Sequence, residues 1–247
     1  MGESRSPKAG GKGFGDAVSA VVLLLAALRC VVAFARPRPA PSTRRSRYTR
    51  WIGRALAWFL LPTVVTLALL GRIDALWTLP PEFVPARALL PTMAPADVVA
   101  GALGGVTLGL FVAALRARRG GRAIGRPGAL MPRNRAELPW GAAVAVVAGV
   151  AEEPFFRLLL PLLIVLSGGS AVAGFALSVV IFAALHRYQG WRGMVATGVF
   201  GLVLAAMYLL SGALWLVVLL HVLVDLNGLV VWPALSSSAA IPSGRSR

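Results

Sequence analysis

Seven apolar runs, separated by short stretches rich in arginine, glycine and proline, set the pattern of this chain. They cover residues 17–35, 51–70, 97–115, 140–165, 170–185, 193–210 and 213–232. Each holds ~16–26 residues, around the ~20 that a helix needs to cross the hydrocarbon core of a bilayer. The pattern predicts an all-α fold, a polytopic transmembrane helix bundle of about seven spans. The first run, 17–35, is broken by Arg29 and ends in Ala33-Phe34-Ala35, which has the small-x-small form of a signal-peptide cleavage site. The charge inside the run favours a span over a cleaved signal. Residues 71–96 carry prolines at 80, 81, 85, 91 and 95 and read as a loop or re-entrant piece. In the third run Gly101, Gly105 and Gly109 recur every four residues, a face expected to let another helix approach closely.

Composition agrees with a membrane protein: 57% of the 247 residues are hydrophobic and the mean hydropathy is +0.77. The formal charge is +16, from 25 basic and 9 acidic residues. The basic residues sit mostly in short loops between spans, which argues against nucleic acid and for the positive-inside rule. Alternate segments 36–50, 116–138, 187–192 and the tail hold seventeen of them, against five in the opposite set. That asymmetry puts the amino terminus outside and the carboxyl terminus in the cytoplasm of the cell (inner) membrane, with basic loops able to hold anionic lipid headgroups. A single cysteine, Cys30, rules out an internal disulfide. Residues 1–16 read as a disordered tail, 17–136 as amino-terminal helices with basic loops, 137–232 as a functional membrane core, and 233–247 as a second tail.

The fourth run contains Glu152-Glu153-Pro154-Phe155-Phe156-Arg157, three charges in a segment otherwise without any. Charged groups at membrane depth cost roughly a few to over ten kcal/mol, so they face a protein interior and mark function. At 1.5 Å per residue from Trp140, Glu152 falls roughly 18 Å along the helix, near the midplane. Glu153 and Arg157 are one turn apart and able to pair, while Glu152 points elsewhere. Pro154 removes a backbone donor and is expected to expose a carbonyl near the acids. Further along lie His186, four residues after Phe182, and His221 four before Asp225; they are the only two histidines. Each has a bland alternative: a packing ion pair, an interfacial hydrogen bond at a helix end, a local His–Asp bond. Together they are the groups that general-base catalysis or zinc ligation requires.

The order Glu-Glu-x-x-x-Arg (152–157), Phe-x-x-x-His (182–186) and His-x-x-x-Asp (221–225) on successive apolar segments resembles the CPBP family of intramembrane proteases. That family includes type 2 CAAX prenyl endopeptidases and bacteriocin-processing or self-immunity proteins. The resemblance covers roughly residues 137–232. It implies that Glu152 activates water with His186 beside it, and that Glu153 and Arg157 support the site over Phe182. His221 and Asp225 would stabilise the oxyanion or help hold a metal, with Glu152, His186, His221 and Asp225 as the tentative zinc ligands. An ionised aspartate cannot donate to an oxyanion, so Asp225 is protonated, orients His221, or ligates a cation. The implied partner is a membrane-embedded or lipidated peptide or protein substrate. A catalytically silent membrane scaffold or sensor, and a small proton-coupled transporter, are the competing readings; no inverted repeat supports transport.

Overall fold

A computed structural model describes residues 10–39, 42–119 and 128–238. The start of the amino-terminal tail, the middle of the second basic loop and most of the carboxyl-terminal tail lie outside the described residues. Each apolar run becomes a helix, and no strand occurs among the described residues. The helices are α1 (Gly10–Ala35), α2 (Arg44–Leu69), α3 (Pro95–Arg118), α4 (138–166), α5 (Ala171–Leu185), α6 (Gly190–Ser211) and α7 (214–238). Two expected tails are shorter than anticipated: α1 begins at Gly10, ahead of the apolar run, and α7 continues to Ser238. Among the described residues five helices are long and apolar enough to cross a membrane. Of the other two, α5 is shorter and α4 carries the three charges.

Local sequence accounts for the ends. The Thr43 hydroxyl accepts the Ser46 N–H to open α2, and Ser170 accepts the Ala173 N–H to open α5. Helix α6 stops at Gly212, whose φ of 68° is left-handed and whose N–H returns to Tyr208 O. In α4, Pro154 has no amide hydrogen to give to the carbonyl four residues back. The helix widens there into a π turn over Pro154–Leu159, closed by the Leu160 N–H on Phe155 O.

Helix α4 is the centre of the bundle. It packs against α1, α2, α5 and α7, most extensively against α7. Every residue from 151 to 163 is buried, so this stretch has no lipid-facing side. Small residues bring α7 close: a Cβ at Gly149 would lie 2.6 Å from Val222 Cγ2 and 2.9 Å from Val218 O. One at Gly141 would lie 2.6 Å from Leu229 O. The glycine face of α3 behaves differently from expectation. Nothing lies within 4 Å of a Cβ at Gly101, Gly105 or Gly109. These glycines instead line an apolar groove of about 530 Å³ shared with Phe200 of α6 and with Leu220 and Val224 of α7. Helix α3 touches α6 and α7 along edges and leaves its small residues open.

The basic segments meet at one end. Arg44 donates to Glu137 Oε2 (2.7 Å), to Ala129 O and Met131 O (both 2.6 Å), and to Tyr48 Oη (3.0 Å). Glu137 also accepts the Arg133 N–H at 3.0 Å. Gly128 lies against Tyr188, which adds the third basic segment to that end. At the opposite end residues 71–96 form 3₁₀ turns at Ile73–Leu76 and Pro81–Phe83 and a helical turn at Val84–Arg87. They cap the bundle by inserting Phe83, whose ring lies 4.9 Å from Phe175 and 6.3 Å from Tyr208.

Two outcomes follow from this packing. Gly149→Ala must push α7 away from α4, at about 1–3 kcal/mol, read as a lower melting temperature in detergent. The hydrogen bond from Arg44, aided by the Arg133 N–H and the Tyr48 hydroxyl, holds the Glu137 carboxyl down to about 2. A depressed carboxyl stabilises the fold above its unfolded value of ~4.3, and that contribution disappears as pH falls through about 2. The stability gap between wild type and Glu137→Gln is therefore constant from pH 7 to 5 and closes between roughly pH 4 and 2 in denaturation curves.

Candidate active site

The six residues singled out from the sequence come from three helices. Glu152, Glu153 and Arg157 stand on α4, His186 caps the end of α5, and His221 and Asp225 lie one turn apart on α7. The α4–α7 contact built on Gly149 brings the carboxylates to His221. His221 Nδ1 donates to Glu153 Oε1 at 2.6 Å. The other oxygen, Glu153 Oε2, lies 3.1 Å from Arg157 Nε, at ion-pair distance but without hydrogen-bond alignment. Glu153 thus bridges a cation on its own helix and an imidazole on α7. The anticipated Glu153–Arg157 pair is present, and His221 is an additional partner.

The Arg157 guanidinium is fully buried and lies 4.7 Å from the Phe182 ring centroid. Gly201 of α6 makes room for both, since a Cβ there would sit 3.1 Å from Phe182 Cδ1 and 3.4 Å from Arg157 Nη2. Phe182 also stands 4.8 Å from the His186 ring and 6.1 Å, edge-on, from that of His221. It is the apolar floor on which Arg157 and the two imidazoles rest.

Helix α5 ends at Leu185, and His186 is its cap. His186 Nδ1 pairs with Phe182 O at 2.8 Å. A carbonyl only accepts, so Nδ1 carries a proton, and the neutral tautomer with that bond has a bare Nε2. The charged neighbours of His186 are Asp225, His221 and Arg157. Among the described residues it makes no hydrogen bond or ion pair with Glu152.

Glu152 is 5% exposed and makes no hydrogen bond to protein among the described residues. It interacts electrostatically with His221, Asp225, Glu153 and Arg157. Asp225 Oδ2 lies 3.6 Å from His221 Nε2, and its side chain is 33% exposed. The constellation therefore has a dry base of Glu153, Arg157 and His221 and an open rim of His186 and Asp225.

The fit to a metal ion is poor. Among the described residues no group of three or more His, Cys, Asp and Glu side chains comes together to hold one. The set Glu152, His186, His221 and Asp225 does not form a ligand sphere in this arrangement, and no step below runs through a metal.

Residues 134–227, which contain all six groups, match the family model described as type II CAAX prenyl endopeptidase Rce1-like. The match covers under half of the chain and shows what this segment is similar to. The Rce1-like segment implies a CAAX protease-type hydrolase, and with the apolar helices it marks an integral membrane protein. No curated protein and no solved structure matches the chain.

Sequence reading passed over Phe200, whose ring meets His221 edge-on at 5.8 Å, and Gly201. It also passed over Ser178, although this is the one polar side chain in Ala171–Leu185 and that signal was available. Pro154 was expected to expose a carbonyl to the acids; the π turn instead turns the Phe156 carbonyl toward Ser178. Arg157→Ala removes one of the two partners of a fully buried carboxylate. It lowers unfolding free energy by about 3–5 kcal/mol in chemical denaturation, whereas exchanging an exposed arginine such as Arg187 changes it by well under 1 kcal/mol.

Proposed function

We propose that this chain is an intramembrane endopeptidase that hydrolyses a peptide bond in a membrane-embedded or lipidated substrate. The observation that carries the reading is the division, on the same turn of α4, between a carboxylate held by two partners and one without a hydrogen bond. Glu153 is committed to His221 and Arg157, while Glu152 has no hydrogen-bond partner among the described residues and faces His221 and Asp225 electrostatically. A general base needs a carboxylate that nothing else occupies.

In this reading Glu152 takes a proton from water as the hydroxide forms a bond to the scissile carbonyl carbon. The developing oxyanion accepts a hydrogen bond from the Nε2–H of His221 in its imidazolium form, whose Nδ1–H Glu153 holds and whose charge the nearby Asp225 carboxylate favours. Collapse breaks the C–N bond, and the amine leaves with the proton held by Glu152. The bare Nε2 of His186, on the open rim, holds the attacking water through hydrogen bonding and can relay the same proton. Water enters from the rim, where Asp225 is one-third exposed.

The distribution of basic residues supports an orientation with the amino terminus outside and the carboxyl terminus in the cytoplasm of the cell membrane. It puts the arginine-rich end formed around Arg44, Arg133 and Arg187 at the cytoplasmic leaflet, where anionic headgroups meet it.

Purified wild type and Glu152→Gln, incubated with quenched membrane peptides in prenylated and unprenylated forms, test the reading. Glu152→Gln keeps the wild-type melting temperature and loses about 10²–10⁴-fold in turnover. Cleavage that survives chelation, with far less than one zinc per chain, agrees with Glu152 acting on water directly. One zinc per chain and chelator-sensitive cleavage would replace that step with a metal-assisted one. Unchanged biological activity in Glu152→Gln would overturn the enzyme and favour a silent scaffold.

A further inference from the structure

Three π turns occur among the described residues, at Leu56–Leu60, Pro154–Leu159 and Asn227–Val231. They share one backbone pattern. The residue after each turn, Leu61, Leu160 or Trp232, donates its N–H five residues back, and the next residue is a proline: Pro62, Pro161 or Pro233. With the preceding amide spent and the proline lacking one, the carbonyl that follows the acceptor in each turn has no main-chain donor in either α or π register.

In α4 that carbonyl belongs to Phe156. It lies in the part of the helix where Phe155, Phe156, Arg157 and Leu158 are all fully buried, so bulk water does not reach it. The Ser178 hydroxyl of α5, itself fully buried, donates to Phe156 O. Ser178, Phe182 and His186 follow at intervals of four on one face of α5. Below Ser178, Phe182 meets Phe156 edge to face (5.3 Å) and lies beneath Arg157, and its own carbonyl takes the His186 Nδ1–H. One bond therefore pins α5 to the widened turn of α4 that begins one residue after Glu153.

We infer that Ser178 is a positioning residue for the site. Its hydroxyl satisfies the carbonyl orphaned between the π turn and Pro161, and so fixes the axial register of the helix that carries His186 against the helix that carries Glu152 and Glu153. Ser178 touches no reacting atom. Its hydroxyl is committed to Phe156 O and serves as a structural donor. The kinetic consequence rests on the endopeptidase reading; the consequence for His186 does not.

The test compares Ser178→Ala with Thr63→Val in the full-length protein. Thr63 is also fully buried and its hydroxyl donates to Phe59 O at 2.7 Å, beside the π turn of α2, but it carries no bond to α5. Ser178→Ala is expected to lower kcat at least tenfold with KM within twofold, while Thr63→Val loses a similar amount of melting temperature and keeps kcat within twofold. Because the chain has two histidines, ¹⁵N-histidine labelling gives separate ring signals for each. Those of His186 shift in Ser178→Ala and hold their wild-type positions in Thr63→Val. Ser178→Cys, with a weaker donor of similar shape, replaces Ser178→Ala in both measurements if the alanine variant does not fold. A kcat within twofold of wild type, or equal losses in both variants, overturns the positioning role. If wild type cleaves no peptide, the endopeptidase reading fails by itself and the imidazole signals decide: displaced His186 signals support the role of Ser178, and unmoved ones overturn it.

Discussion

A carboxylate buried to zero exposure in an apolar helix bundle needs cationic or donor partners, and Glu153 has two: Arg157 on its own helix and His221 across the α4–α7 contact. Much of the bundle is arranged to make that three-residue bridge possible. Gly149 allows α7 close enough for His221 to reach, Gly201 leaves space for the guanidinium, and Phe182 offers it an aromatic face. Losing one partner leaves a charge with no route to water, which makes the bridge costly to break. It also leaves the neighbouring Glu152 free. Of two glutamates on consecutive residues, Glu153 thus stands in a structural bridge and Glu152 makes no hydrogen bond among the described residues.

The backbone of α4 adds a second constraint. Prolines at 154 and 161 each withhold an amide, and the helix answers by widening into a π turn between them. In a lipid-facing helix the freed carbonyl would meet no donor; in the centre of the bundle the neighbouring helix can supply one, as Ser178 does. The protein that surrounds α4 thus supplies a donor for its irregular turn as well as partners for its charges. Burial of residues 151–163 on all sides satisfies both requirements at once.

Much of this was legible in the sequence. The seven apolar runs became helices whose ends moved by a few residues, because capping by Thr43, Ser170 and Gly212 is local chemistry. The four-residue spacings of Glu153–Arg157 and His221–Asp225 placed each pair on one face, and all six polar groups fall within the segment that matches the Rce1-like model. The glycine stripe of α3 was misread: spacing records that a face is small, and only the positions of neighbouring helices decide whether anything fills it.

What the sequence determined alone is the class of structure and the inventory of reactive groups. Hydrophobic run length fixes helices in a membrane, and charges within such runs must turn inward. Tertiary structure decided the pairing. That His221 binds Glu153, that His186 turns its Nδ1 to Phe182 O, and that Ser178 meets Phe156 O all depend on the distance and rotation between helices remote in sequence. Those quantities arise from glycines and aromatic rings at the contacts between helices, and no spacing along a single helix encodes them.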